Sequence, residues 1–279
     1  MWNKDTNWRQ GSVIKVDVLR NYSPSSVRSL LDDTTYLCVV SNDGDIINDN
    51  VMLEPVLEFV GAKEVSAIEP GYTNAKHPSI LHVPCLLEGK QIVMELKASP
   101  KLSISKHNLI PALQPDKNLI LDDTAKSTLQ SWLSFRYRRR NLPKAFVART
   151  MPLWNYLKKD GKSDTAHAMG YWINYDPRGE ELTPSDPYLF SLYIVYSNRL
   201  SQAKEHSEKL AFDIRENFPY WQSAFKEVGE IEMHECRAYS EDCFTLSDLQ
   251  NCVYFGLDQI DSISAEIFDN REPEDTNKA

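Results

Sequence analysis

The sequence lacks the short motifs that mark the commonest nucleotide-dependent and hydrolytic enzymes. It has only 10 glycines, and they form no Walker A loop, no G-x-G-x-x-G fingerprint and no G-x-S-x-G elbow. Nucleotide-binding, dinucleotide-binding and α/β-hydrolase functions therefore have no support from the sequence. Long apolar runs are also missing, since the longest, 188–196, has about half the length that a membrane-spanning helix needs. No basic segment followed by an apolar one opens the chain, so we expect neither a secretory signal nor membrane insertion.

Cysteine is sparse, and its spacing indicates neither a disulfide framework nor a metal site. The chain has five cysteines, an odd number, and no C-x-x-C pair. In a chain of this length this pattern predicts reduced thiols, several of them buried, in a cytoplasmic protein. His234, Cys236 and Cys243 could be combined into a zinc site, but the ligand spacings typical of structural zinc are missing. We therefore expect no zinc.

The composition is that of an ordinary globular protein with an uneven charge distribution. The 279 residues are 42% apolar and 25% charged, which excludes disorder and low complexity for most of the chain. The net charge of −9 disfavours indiscriminate binding to nucleic acid or anionic lipid. Between residues 124 and 159, however, lie nine basic residues and no acidic ones. This local excess of positive charge is more informative than the total, because an electrostatic field depends on clustering.

The pattern of apolar residues predicts an α+β fold in three parts. Residues 1–120 read as β-rich, with strands at 12–18, 35–41 and 56–60, a turn at 42–45 and a hairpin over 80–97. Residues 100–120 read as mostly loop and short extended pieces. Residues 121–165 read as a basic helical segment that begins at 122–124, ends a first helix at Pro143 and is broken at Pro152. Residues 166–268 read as strand, helix and strand, followed by a helix over 246–255. Residues 269–279 are polar, and we expect a disordered tail.

A pair of residues on the second strand of the hairpin suggests metal-dependent chemistry. Glu95 and Lys97 share one face of that strand, ten residues after Pro84 and Cys85. This spacing resembles the signature of PD-(D/E)xK nucleases, in which two carboxylates hold Mg²⁺ and the lysine activates water. The expected aspartate is replaced by Cys85, and a neutral thiol is a poor ligand for Mg²⁺. The alternative is an ordinary exposed Glu–Lys pair on a hairpin.

Acidic residues after the second predicted strand could supply the missing ligand. Asp43 and Asp45 lie in the predicted turn, and Glu54 and Glu58 follow. Asp45 or Glu58 could replace the missing aspartate, so the candidate catalytic set is Asp45, Glu58, Glu95 and Lys97, with Asp45 and Glu95 as metal ligands. Turn formation alone also explains the acids, because Asn, Asp and Gly favour turns and charged side chains solvate them.

The basic helical segment offers a different function. Its candidate binding residues are Arg136, Arg138, Arg139, Arg140 and Arg149. Arg136 and Arg140 lie one helical turn apart, and the planar guanidinium group binds phosphate with two hydrogen bonds. Three roles remain open: contact with nucleic acid, contact with a partner protein, or an internal seam in which the arginines pair with acids of the same chain.

Two family resemblances bear on these alternatives. The segments WRQGSVI (8–14), VVSNDGDI (39–46) and WLSFRYRR (132–139), with Glu54-Pro55 and Leu142-Pro143, resemble a group of uncharacterised bacterial proteins. That group has a cysteine where this chain has Gly44, and it supplies no chemistry to transfer. The opening strands also resemble the SH3-like barrel of MazF/PemK toxins. Both resemblances imply a bacterial or phage-borne protein of the defence or toxin–antitoxin type.

These observations favour a cytoplasmic component of an antiviral defence or toxin–antitoxin-type system that binds nucleic acid or a partner protein through the basic segment. A Mg²⁺-dependent nuclease that uses Glu95 and Lys97 is the first alternative. A purely structural subunit is the second. No cofactor is expected unless the nuclease alternative holds, in which case Mg²⁺ is required.

Overall fold

The fold is described from a computed structural model, which describes residues 2–20, 35–109, 113–138, 142–159, 164, 166–224 and 228–255. The chain forms two compact units, Met1–Tyr137 and Arg138–Ala279. This boundary divides the predicted basic segment, so its first helix belongs to the first unit and its second helix to the second. The predicted tail, 269–279, lies outside the described residues.

The first unit is built on six antiparallel strands that form a nearly closed, barrel-like sheet. The order of the strands in the sheet is β1-β2-β3-β5-β4-β6. The backbone N–H of Asp116 donates to the carbonyl of Val13 at 2.7 Å, so the segment before β6 meets β1. The α+β class and the barrel predicted for this half are therefore confirmed. The strands are β1 (Val13–Lys15), β2 (Tyr36–Val39), β3 (Val56–Val65), β4 (Ile80–Leu87), β5 (Lys90–Ser105) and β6 (Leu119–Ile120).

Both faces of this sheet are covered by apolar side chains. One cluster contains Trp8, Leu57 and Phe59, and it covers the face toward the N-terminal segment. The other cluster joins Val60 and Met94 of the sheet to Leu129 of the helix that follows the sheet. The helices of this unit are α1 (Val16–Arg20), α2 (Asp43–Ile47), α3 (Lys106–Leu109) and α4 (Asp123–Arg138), with a 3₁₀ turn at Pro70–Tyr72.

Helix α4 begins at the predicted position and packs as the sequence indicates. The side chain of Asp122 accepts a hydrogen bond from the Ala125 N–H at 2.7 Å, which caps the helix. Ala125, Leu129 and Trp132 are buried at helical spacing. Trp132 Nε1 also donates to the His77 carbonyl at 2.8 Å, which fixes the helix against the loop before β4.

The second unit is a four-stranded sheet with helices on one face. Its order is β10-β7-β8-β9, with β8 and β9 parallel and joined by a long helix. That crossover requires a helix of this kind, because parallel neighbours cannot be joined by a short turn. The elements are α5 (Lys144–Lys159), β7 (Ala168–Asp176), β8 (Tyr188–Tyr196), α6 (Ala203–Ala224), β9 (Ile231–Ser240), α7 (Leu246–Asn251) and β10 (Val253–Phe255).

Helices α5 and α6 cover the same face of this sheet. Phe146 and Trp154 of α5 join Ile214 of α6 and the strand residues Ile173 and Leu192 in one core. We call the opposite side the outer face of the sheet. None of the described helices is long and apolar enough to cross a membrane.

Several predicted boundaries in the first unit were wrong. Residues 43–47 form helix α2, because Asn42 Oδ1 accepts from the Asp45 N–H at 2.9 Å and caps a helical turn. Strand β1 ends at Lys15, and residues 16–20 are helical. Strand β5 continues without a break to Ser105, where we expected mostly loop with short extended pieces from residue 100. The pairing of β5 with β3 shifts its register between Val60 and Gly61 of β3.

Two predictions for the second unit also need correction. Pro152 lies inside α5 and does not break it. The segment 246–255 is a short helix followed by strand β10, because Thr245 and Asp248 cap the helix and Val253–Phe255 pairs with β7. The central elements are as predicted, since β8 spans 188–196.

The cysteines are free thiols, as the sequence predicts. Burial raises the pKa of Cys38 and of Cys236 to about 12, and that of Cys85 and of Cys252 to about 11. Four of the five are therefore inert, neutral core side chains at ordinary pH.

Candidate nucleic-acid interface

The C-terminal end of α4 presents an exposed aromatic ring among basic residues. We call Lys101, Arg136 and Tyr137 the α4 basic end. The Tyr137 side chain is 72% exposed. Lys101 Nζ, on β5, donates to the Tyr137 hydroxyl at 2.6 Å and to Glu58 Oε2 at 2.9 Å.

The faces of the Tyr137 ring are not covered by Lys101. Lys101 Nζ lies 5.3 Å from the centre of the ring. This distance is nearly the sum of two others, that from Nζ to the hydroxyl oxygen and that from the hydroxyl oxygen to the ring centre, so the three points lie almost on a line. The ammonium group therefore lies at the hydroxyl end of the ring, where it fixes the position of Tyr137 without stacking on it.

Lys101 is held in its charged form. Partial burial lowers its pKa, but the hydrogen bonds to Tyr137 and Glu58 and the charge of Glu58 outweigh burial. The net effect raises the pKa of Lys101 above its ordinary value of 10.5. The charged Lys101 ammonium, paired with Glu58, thus lies beside an exposed aromatic ring, and these described bonds use two of its three N–H donors.

Arg136 is partly committed to its own unit. It is half-buried, and its Nη1 donates to the Pro78 carbonyl at 3.1 Å. A guanidinium group has five N–H donors, so this bond leaves most of its donors for another acceptor. The backbone of Arg138 is described as the last residue of α4, whereas Arg139 and Arg140 lie outside the described residues.

Arg149 is buried within the second unit, and its predicted role needs correction. It is 3% exposed and lies in α5, in the second unit. Its guanidinium group donates four hydrogen bonds of 2.7–3.1 Å to backbone carbonyls of two loops, those of Leu182, Thr183, Asp186 and Glu230. Arg149 is therefore an internal clamp, and its partners are carbonyls and not the acidic side chains of the seam hypothesis.

Glu95 of the nuclease hypothesis is engaged in a row of charges across three strands. It pairs in register with Lys63 on β3 and with His82 on β4. Its two oxygens lie 3.3 Å from Lys63 Nζ and 3.2 Å from His82 Nε2. Burial raises the pKa of Glu95, but these two partners outweigh it, and the net shift is downward.

The proton of His82 can be assigned from its neighbours. His82 Nδ1 accepts a hydrogen bond from the Glu69 N–H at 3.1 Å, so Nδ1 carries no proton. The proton of the neutral ring must then lie on Nε2, which faces Glu95. Both oxygens of Glu95 therefore have partners within the sheet, and these partners give the carboxylate a structural role.

The other members of the nuclease set lie apart from Glu95. Cys85 is buried in the core on the face of the hairpin that also carries Val83, whereas Glu95 pairs with His82 on the opposite face. Lys97 is exposed on the Glu95 face. Glu58 lies five residues from Lys63 along β3, about 16 Å from the Glu95 position at 3.3 Å per residue.

Asp45 is part of a locked helical turn. Its Oδ2 accepts from Asn42 Nδ2 at 2.6 Å, and its carbonyl accepts from the buried Lys106 Nζ at 2.6 Å. Trp2 Nε1 donates to the next carbonyl, that of Ile46, at 2.8 Å. Asp43 caps the N–H of Gln10 at 2.7 Å. These acids therefore shape α2, and no described contact joins them to Glu58, Glu95 or Lys97.

No group of three or more His, Cys, Asp or Glu side chains suited to a metal ion occurs among the described residues. The convergence of carboxylates that the nuclease hypothesis requires is thus not found in that part of the chain.

Sequence reasoning missed two features. Lys101 was not considered, because nothing in a β-strand sequence indicates that it lies beside a helix end far along the chain. The second is the surroundings of His206. Its Nδ1 lies 2.6 Å from Asp164 Oδ1, and its ring stacks on His167 with centres 4.1 Å apart.

Comparisons with protein-family models, with curated proteins and with solved structures gave no match. The resemblances to the bacterial group, to MazF/PemK toxins and to PD-(D/E)xK nucleases therefore stay predictions.

Proposed function

We propose that this protein binds nucleic acid through the α4 basic end, as the binding component of a bacterial or phage defence or toxin–antitoxin-type system. The observation that carries the proposal is the exposed Tyr137 ring, whose hydroxyl is held by Lys101 and whose faces Lys101 does not cover. The system to which the component belongs rests on the family resemblance alone.

The chemistry of this surface fits a single strand better than a duplex. An exposed aromatic ring stacks on an unpaired base, and each such contact contributes roughly 1–3 kcal/mol. Lys101 and Arg136 would contact the phosphates on either side of that base. Binding of this kind weakens steeply as salt rises, because phosphate contacts release counterions.

The test compares two exposed tyrosines. Tyr137→Ala removes the stacking ring, and Tyr220→Ala removes an equally exposed tyrosine on α6 of the second unit. With a labelled single-stranded oligonucleotide and fluorescence anisotropy, we expect Tyr137→Ala to weaken binding about tenfold or more and Tyr220→Ala to leave it unchanged. Equal affinity of the two variants would contradict the proposal.

A second measurement separates nucleic acid from a protein partner. The logarithm of the affinity should fall linearly with the logarithm of salt concentration, and Lys101→Gln should reduce the slope by about one phosphate contact. No salt-sensitive binding to any DNA or RNA probe would leave a partner protein as the ligand of this surface.

A further inference from the structure

The outer face of the second sheet is divided into a covered half and an open half. In the covered half, Trp172 and Tyr193 of the sheet pack against Phe244 of the loop after β9, with ring centres 5.2 and 6.2 Å apart. Tyr239 and Tyr254 complete this aromatic wall. Beyond the wall the side chains become small and polar at Asn174 and Ser191, which pair in register.

The open half forms a groove of about 580 Å³, which we call the sheet groove. Asn174 and Ser191 lie on its floor next to the aromatic wall, and Asp176, Leu189 and Glu232 form the next row. A concave site of this size with a few polar groups among apolar ones is typical of small-molecule binding.

A bulge in β9 places a histidine in the groove. Phe190 pairs with Met233 and Ser191 pairs with Glu235, so His234 is the extra residue between them. His234 is exposed and lines the groove. Bulges redirect a side chain at the expense of ladder hydrogen bonds, and they are over-represented beside functional sites.

The row at the open end of the groove has the charge pattern of a site for a ligand with a positive charge at each end. Asp176, Leu189 and Glu232 pair in register on β7, β8 and β9. Two strand spacings separate the two carboxylate-bearing residues, about 10 Å. Between them lies Leu189, an apolar side chain that is 45% exposed.

We propose that the sheet groove binds an aliphatic polyamine. Its methylene chain lies across Leu189, and its terminal ammonium groups pair with Asp176 and Glu232. His234 also lines the groove. The groove, the exposed leucine and the bulge carry this assignment, and the two carboxylates select the charge and length of the ligand.

The neighbouring charges do not cancel those two carboxylates. Glu235, on the same face, already pairs with Arg237. Arg178 donates to the Asn174 side chain at 2.8 Å and to the carbonyl of Asn251, the last residue of α7. No described ion pair engages Asp176 or Glu232.

The experiment titrates the full chain with spermidine by isothermal calorimetry, without nucleic acid, at constant ionic strength. n-Butylamine, which has one ammonium group, serves as the ligand control. Glu232→Gln removes one carboxylate of the groove, and Glu216→Gln removes an exposed carboxylate of α6, on the other side of the sheet. Glu232 is chosen over Asp176 because it lies on the edge strand β9, whereas Asp176 ends the inner strand β7.

We expect the wild type and Glu216→Gln to bind one spermidine with equal affinity, and Glu232→Gln to bind it about fivefold more weakly. The wild type should bind n-butylamine far more weakly than spermidine. Leu189→Asn should also weaken spermidine binding, because the methylene chain loses its apolar contact. No saturable heat with spermidine, or equal affinities of Glu232→Gln and Glu216→Gln, would overturn the proposal. These readouts are independent of the α4 basic end, so either proposal can fail without the other.

Discussion

Replacement of Arg149 by methionine tests whether this arginine is an internal clamp or a binding residue. The change keeps most of the side-chain volume and removes four hydrogen bonds to backbone carbonyls. Each of these bonds, to carbonyls of the loops before β8 and β9, contributes about 1 kcal/mol net. The expected loss in the free energy of unfolding of the second unit is therefore about 4 kcal/mol.

Urea unfolding followed by hydrogen exchange of second-unit peptides measures this loss. Arg215→Met is the matched control, because Arg215 is exposed and makes one long bond of 3.3 Å to the Cys236 carbonyl. We expect the control to change the free energy of unfolding by less than about 1 kcal/mol. At urea concentrations where Arg149→Met remains folded, its affinity for nucleic acid should equal that of the wild type. A stable Arg149→Met variant with weakened binding would refute the clamp and restore Arg149 to the interface.

Three further predictions concern stability. Gly229 has a φ of +123°, and a Cβ added there would lie 2.6 Å from Arg149 Nε. Gly229→Ala should therefore lower the free energy of unfolding by about 2–3 kcal/mol. Gly71→Ala, where the added Cβ meets open space, should not lower it, and equal urea midpoints of the two variants would contradict this. Burial lowers the pKa of Lys76 to about 7 from 10.5, so the unfolded chain binds more protons above pH 7. The free energy of unfolding of the wild type should then rise by about 1.5 kcal/mol between pH 7 and 8.5, whereas that of Lys76→Met should not. A rise in both proteins would contradict the lowered pKa of Lys76. Burial raises the pKa of Asp164, but His206 and Lys209 outweigh it and lower the pKa below 3.8. Asp164→Asn should therefore be less stable at pH 7, and the difference should shrink as pH falls below about 4; a constant difference from pH 7 to 3 would contradict the pairing.

Local signals predicted the elements best where one pattern dominates. The run at 188–196 is continuous and β-branched, and it is strand β8 to the residue. The prolines misled in both directions. Pro143 separates two helices, whereas Pro152 lies within α5, because Leu153, Trp154 and Leu157 bury that side of the helix in the core.

The candidate site was only half visible in the sequence, because its parts meet through tertiary structure. The basic cluster at 136–140 is local and was identified. The roles of its neighbours depend on pairing that no local pattern encodes: Lys101 reaches Tyr137 from β5, and Lys63 and His82 engage Glu95 from two strands. Arg149 has the same charge as the interface residues, and only its burial shows that it binds carbonyls of its own unit.

The most direct test of the central claim is photochemical cross-linking of a labelled single-stranded oligonucleotide to the full chain, with mapping of the modified peptide. The account predicts a cross-link on the α4 peptide that contains Tyr137, lost at high salt and in Tyr137→Ala. Cross-links confined to the second unit, or none at low salt, would contradict it.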